Sequence, residues 1–139
     1  MDMNFYDRDK DKDKNKKKVK IKSVYTDEFV VVGEGKYLYA TGENSNKKGI
    51  FILTINENGN VKLMLENGSY IRLDNKNFLI ADTDKEGAIK FKAYKVDNKE
   101  YVLKASNGYY VRVRDDDEKL AAKAEDIGQK TKFKFKEVE

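Results

Sequence analysis

Histidine, cysteine, proline and tryptophan are all absent from this 139-residue chain. Without Cys or His there is no thiol or imidazole nucleophile, no imidazole acid–base chemistry and no Cys/His zinc or iron site. Lacking cysteine, the chain has no disulfide framework either. The missing proline is unusual for a loop-rich protein, since about 5% is typical. No uninterrupted apolar run approaches the roughly 18 residues that a membrane-spanning helix requires, so no membrane partner is expected. The opening Met1-Asp-Met-Asn-Phe-Tyr-Asp-Arg8 has neither the basic nor the apolar region of a secretory signal. The expected location is the cytoplasm.

What is present is charge: 39% of positions are charged and 39% hydrophobic, with a net charge of +4. Half of that excess sits in residues 1–18, which hold seven Lys/Arg against five Asp. The run Asp7 to Lys18 alternates signs and carries no apolar residue, so residues 1–18 are expected to form a disordered, solvating tail ahead of a single domain over 19–139. Asp7, Asp9 and Asp11 imitate the start of a calcium loop, but Lys12 stands where a glycine is needed and Lys18 where the closing glutamate is needed. Asp82-Thr-Asp-Lys-Glu-Gly87 opens in the same way and runs into Ala93 at the closing position. No metal and no cofactor are therefore expected. The lysines at 16, 17 and 18 are diluted by Asp and lack stacking aromatics, which argues against nucleic acid.

The domain divides into three segments, 19–60, 61–100 and 101–139, that align in five columns: Ile21, Leu63 and Leu103; Phe29, Tyr70 and Tyr110; Leu38, Leu79 and Leu120; Ala40, Ala81 and Ala122; Phe51, Phe91 and Phe133. Inside each segment apolar residues alternate with polar ones, as in Thr131-Lys-Phe-Lys-Phe-Lys136, so the elements are strands with one buried face. In the third repeat they fall at about 101–106, 109–114, 119–124 and 131–138. Asn67-Gly68 and Asn107-Gly108 suit tight hairpins, and Gly42 to Gly49 forms a longer loop. Repeats of this length also occur in propellers and helical arrays, but the Trp-Asp signature is missing and the periodicity is not helical. Three repeats of four strands imply an all-β protein: a closed barrel with pseudo-threefold symmetry, the β-trefoil, which leaves no open sheet edge.

The third repeat, with Leu103-Lys-Ala-Ser-Asn-Gly-Tyr-Tyr-Val-Arg-Val113, Leu120-Ala-Ala-Lys-Ala124, Ile127-Gly128 and Phe133-Lys-Phe135, resembles the repeat of fascin-like β-trefoils. The second repeat shares the skeleton through Leu65 to Leu73, Leu79-Ile-Ala81 and Phe91, and the first shares it more loosely. The matching positions are core and turn residues, so the resemblance speaks to fold before activity. It implies a non-catalytic binding module that works as a protein-interaction or cross-linking scaffold, as fascins do with actin. Single-trefoil members that work through histidines and a myristoylated N-terminus are not matched in those features. This chain has no histidine, and Asp2 follows Met1 where myristoylation needs glycine.

Function in a repeated scaffold is expected where one copy departs from the others. The first repeat carries Val31, Ile50 and Ile52 where the later ones carry Arg72 and Arg112, Lys90 and Lys132, and Lys92 and Lys134. These three form a candidate apolar face for a protein partner or for self-association, unless the N-terminal segment with Phe5 and Tyr6, or strand twist, covers them. Arg72, Lys90, Lys92, Arg112, Arg114, Lys132, Lys134 and Lys136 alternate with core residues as a cationic rib, either a site for acidic partners or a solvated face. The alternative function is carbohydrate binding, with Tyr37, Tyr39, Tyr94 and Tyr109 as ring platforms for a glycan. The lectin signature Gln-x-Trp cannot occur, since the chain lacks Trp. Carboxylates cluster at turns with no cleft implied, and an enzyme is not expected.

Overall fold

The computed structural model describes Lys16–Val138, so most of the expected tail, including Phe5, Tyr6 and the Asp7–Asp11 motif, lies outside the described residues. Twelve strands follow one another: β1 (Lys16–Ser23), β2 (Phe29–Val32), β3 (Leu38–Gly42), β4 (Ile50–Ile55), β5 (Val61–Leu65), β6 (Tyr70–Leu73), β7 (Leu79–Thr83), β8 (Phe91–Asp97), β9 (Glu100–Ala105), β10 (Tyr110–Val113), β11 (Leu120–Ala124) and β12 (Phe133–Glu137). The four strands expected in the third repeat are all found. One boundary moves: β1 starts at Lys16, three residues inside the segment expected to be tail, because Lys16, Lys17 and Lys18 pair with Thr54, Leu53 and Ile52 of β4. A lysine run with no apolar residue can still form a ladder when the neighbouring strand supplies the backbone partners. No helix among the described residues is long and apolar enough to cross a membrane.

Six strands close on themselves in the order β1, β4, β5, β8, β9, β12 and back to β1, all antiparallel. The remaining six form three hairpins, β2–β3, β6–β7 and β10–β11. The repeats are superimposable in register. Val19, Val61 and Tyr101 lie opposite Phe51, Phe91 and Phe133, and the same three phenylalanines lie opposite Leu65, Ala105 and Ser23. Alternation sends these residues inward, and the three phenylalanine rings are completely enclosed. Burying a side chain of this size contributes roughly 1.5–3 kcal/mol, and the requirement is met once in each repeat. Four of the five sequence columns are buried in all three copies; in the fifth, Tyr70 is buried while Phe29 and Tyr110 are half-buried.

The hairpins meet around the pseudo-threefold axis. Cross-repeat bridges join Tyr37 to Ile80, Phe78 to Ala121 and Lys119 to Tyr39. The Ala40 amide donates to the Glu118 carbonyl at 2.9 Å, and the Ala122 amide to that of Asn77 at 2.8 Å. Backbones this close leave room for little more than a methyl group, which explains the alanine column. Lys36, Asn77 and Glu118, one in each hairpin turn, sit in the left-handed region at φ 71°, 69° and 60°. The expected tight turns also form: Gly68 and Gly108 adopt φ 95° and 93°, a conformation open to glycine at no steric cost. The preceding Asn side chains accept from the Ser69 and Tyr109 amides at 2.9 and 3.0 Å.

Candidate functional site

A hollow of about 730 Å³ is lined by residues from widely separated parts of the chain. Lys22 of β1, Phe29 of β2 and Asn44 of the loop after β3 contribute, as do Lys99 of the β8–β9 turn, Tyr101 of β9 and Lys134 to Glu137 of β12. They converge because β12 pairs with both β1 and β9. Phe29, Tyr101 and Phe135 supply the apolar wall; the Tyr101 and Phe135 rings meet edge to face at 5.3 Å. Four lysines, Lys22, Lys99, Lys134 and Lys136, face one carboxylate, Glu137, along the lining.

Some of this charge is held in place. Lys22 pairs with Asp27 at 3.1 Å and lies 5.6 Å from the Phe29 ring centre. Lys136 donates to the Asn44 side-chain oxygen at 3.3 Å, and Lys20 donates to the Asn44 carbonyl. Lys17 lies 3.7 Å from Glu137. Lys99 and Lys134 have no ion pair among the described residues. The result is an aromatic groove with a cationic rim, open to a ligand that brings both apolar surface and negative charge.

The sequence-derived site residues are dispersed. Val31 is only 6% exposed, and it does not join Ile50 and Ile52 in one open apolar face. The loop from Gly42 to Gly49 lies against it: a Cβ added at either glycine would stand within 3.2 Å of a Val31 methyl. Ile50 and Ile52 are half-buried on β4, opposite Lys20 and Lys18 of β1.

Tyr37 and Tyr39 belong to the axial cluster. The Tyr37 hydroxyl donates to Asp74 at 2.8 Å, and its ring meets Phe78 edge-on at 6.4 Å. The Lys119 ammonium stands 4.2, 5.0 and 5.7 Å from the ring centres of Tyr37, Phe78 and Tyr39. The hydrogen bond from the Tyr37 hydroxyl to Asp74 raises the Tyr37 pKa above the ordinary tyrosine value. At Asp74, burial opposes ionisation, but bonds from the Phe78 amide, the Tyr37 hydroxyl and the Lys76 amide outweigh it and lower the pKa. Both tyrosines are therefore engaged internally. Tyr94 and Tyr109 are open, at 46% and 38% exposure, and Tyr94 borders a small hollow of about 140 Å³ beside Lys92 and Lys104. Neither the 730 Å³ groove nor this hollow is lined by more than one of the four tyrosines.

The cationic rib is uneven. Arg72 makes a two-point bond to Asp82 at 2.6 and 2.9 Å, and Arg114 pairs with Asp116 and Asp117. Lys132 reaches Asp97 at 3.7 Å. Only Lys134 and Lys136 of the rib line the large groove. Its other members are missed by periodicity because they come together through topology. Phe29 and Phe135 of the wall are half-buried and Tyr101 is buried, and nothing in the local sequence pattern distinguishes them from other strand residues.

A sealed six-strand barrel with three axial hairpins defines the protein as a β-trefoil. A designed threefold-symmetric protein, ThreeFoil, superimposes with a TM-score of 0.75 at 12% identity, covering 87% of this chain and 99% of that one. The fascin domain family matches residues 26–135, and the chain belongs to that family. Among curated protein sequences none matches significantly.

Proposed function

We propose that this β-trefoil binding module is a protein-interaction domain that takes an acidic segment with an apolar anchor into the groove between β1, β12 and β9. The observation that carries the reading is the groove itself, where Phe29, Tyr101 and Phe135 form the wall and four lysines outnumber one glutamate. A cationic rim speeds encounter with an acidic partner, and the aromatic wall holds it once charges are desolvated. Scaffolding or cross-linking of the fascin type would then follow if a partner presents repeated acidic segments.

The test is fluorescence anisotropy with a labelled Asp/Glu-rich peptide carrying one phenylalanine, measured against the same peptide with alanine in its place. Binding is expected to weaken with added salt, with the alanine peptide and with Lys22→Glu plus Lys134→Glu. A double variant that binds as well as the parent, with its fold intact by circular dichroism, would refute the reading. Carbohydrate binding is the second reading, supported by the open ring of Tyr94 beside its small hollow. A glycan array in which Tyr94→Ala changes nothing would remove it.

A further inference from the structure

Arg72 and Arg112 occupy the same position in the second and third repeats, and their partners on β7 and β11 are Ile80 and Ala121. In the second repeat the bulge residue that follows the column alanine is Asp82, which saturates the Arg72 guanidinium at two points. In the third repeat the corresponding residue is Lys123, and its ammonium turns to the Phe78 ring at 4.6 Å. Arg112 is thereby left without its carboxylate. Its buried Nε has no acceptor, and no hydrogen bond or ion pair to the guanidinium exists among the described residues. Bonds from Lys130 at 2.5 Å and from the Tyr25 hydroxyl at 3.0 Å engage the Asp115 Oδ1 and, against burial, hold this carboxyl below its ordinary range, the Arg112 charge adding least.

Arg112 lines a second hollow of about 390 Å³ together with Tyr25, Asp126, Ile127, Gln129 and Lys130, among others. A buried donor without a partner is uncommon in a folded protein and calls for an acceptor; here it is the Nε of the half-buried Arg112. Arginine's planar fork matches a carboxylate at two points. The hollow lies toward the small end of the roughly 300–1,000 Å³ range of ligand sites, the scale of a single sugar ring. Tyr25 is 41% exposed, with the Lys130 ammonium 5.4 Å from its ring centre, and Gln129 provides an amide for hydroxyl groups. Asp126 adds one negative charge to the lining, so a ligand must present its own charge at the Arg112 side.

We infer that this hollow binds a sugar acid, whose carboxylate takes on Arg112 the place that Asp82 fills on Arg72. The site is separate from the large groove, and none of its residues is shared with it. Titrating glucuronic acid into the 15N-labelled protein is expected to shift the amides of Tyr25, Gly128 and Gln129, while glucose and acetate at equal concentration do not. Arg112→Gln is expected to weaken binding about tenfold or more, the loss of a charge-assisted pair. Lys123→Asp supplies the missing internal carboxylate and is expected to block the site while raising the melting temperature. The amide spectrum of each variant reports whether the fold is kept. Absence of shifts with glucuronic acid, equal shifts with acetate or glucose, or undiminished binding in a folded Lys123→Asp variant would each overturn the assignment.

Discussion

The contact between Val31 and the loop above it can be measured as a coupling energy. Gly42 ends β3 and is buried; a methyl group placed on it would collide with Val31 Cγ1 while standing 3.2 Å from the Phe29 carbonyl. With backbone on one side and a packed side chain on the other, Gly42→Ala must push the strand or the valine aside, at a cost of about 2 kcal/mol. Val31→Ala removes two methyl carbons from a nearly closed site. At about 0.8 kcal/mol for each carbon plus a small cavity contribution, it also loses about 2 kcal/mol. Independent effects would sum to roughly 4 kcal/mol. The methyl added at 42 occupies space vacated at 31, so the double variant is expected to lose only about 2 kcal/mol, a coupling of about 2 kcal/mol. Urea unfolding of the four proteins by tyrosine fluorescence gives all the terms. A Gly42→Ala protein within about 0.5 kcal/mol of the parent, or a double variant at the plain sum, would refute the packing argument. The same loop carries Asn44 into the large groove, so peptide affinity in this set shows how far the roof controls the site below it.

Two further outcomes follow from the axial cluster and the ion pair. Lys119→Met keeps the chain length and removes the charge from three rings, and is expected to lose about 1 kcal/mol, within the usual range for such contacts. That corresponds to a melting-temperature fall of about 3–6 °C for a domain of this size, and an unchanged melting curve would contradict it. The Arg72 bond holds the Asp82 carboxyl below the ordinary carboxylate range, with burial opposing it. Its folded pKa is thus depressed: the stability it contributes is present above the unfolded value, near about 3.9, and is lost as pH falls through the folded value. The parent should therefore lose urea stability below about pH 4 more steeply than Asp82→Asn; parallel pH profiles would show that the pair is not linked to folding.

The barrel is legible in the sequence because its physical demand is repeated. Period-two alternation must place Phe51, Phe91 and Phe133 inward, and the small residue at 40, 81 and 122 must recur wherever two hairpin backbones touch. The start of β1 is less legible: Lys16 to Lys18 carry no apolar residue to betray a strand, and their strand state comes from the backbone of β4. Val31 illustrates the opposite limit. Alternation places it outward correctly, yet whether outward means solvent is decided by a loop whose path depends on Gly42 and Gly49 fitting over it. The large groove draws on residues from 22 to 137, and no local pattern unites them. Arg112 is different, because the exchange of Asp82 for Lys123 is written in the repeat columns and needs only the pairing geometry to acquire meaning.

The Val138 amide donates to the Lys18 carbonyl at 2.9 Å, and β1 is seated between β4 and β12. The ring is therefore indifferent to where the polypeptide is cut. A circular permutant, with a short linker joining the two ends and a new opening between Asn58 and Gly59, would begin on β5 and rebuild the same closed wall.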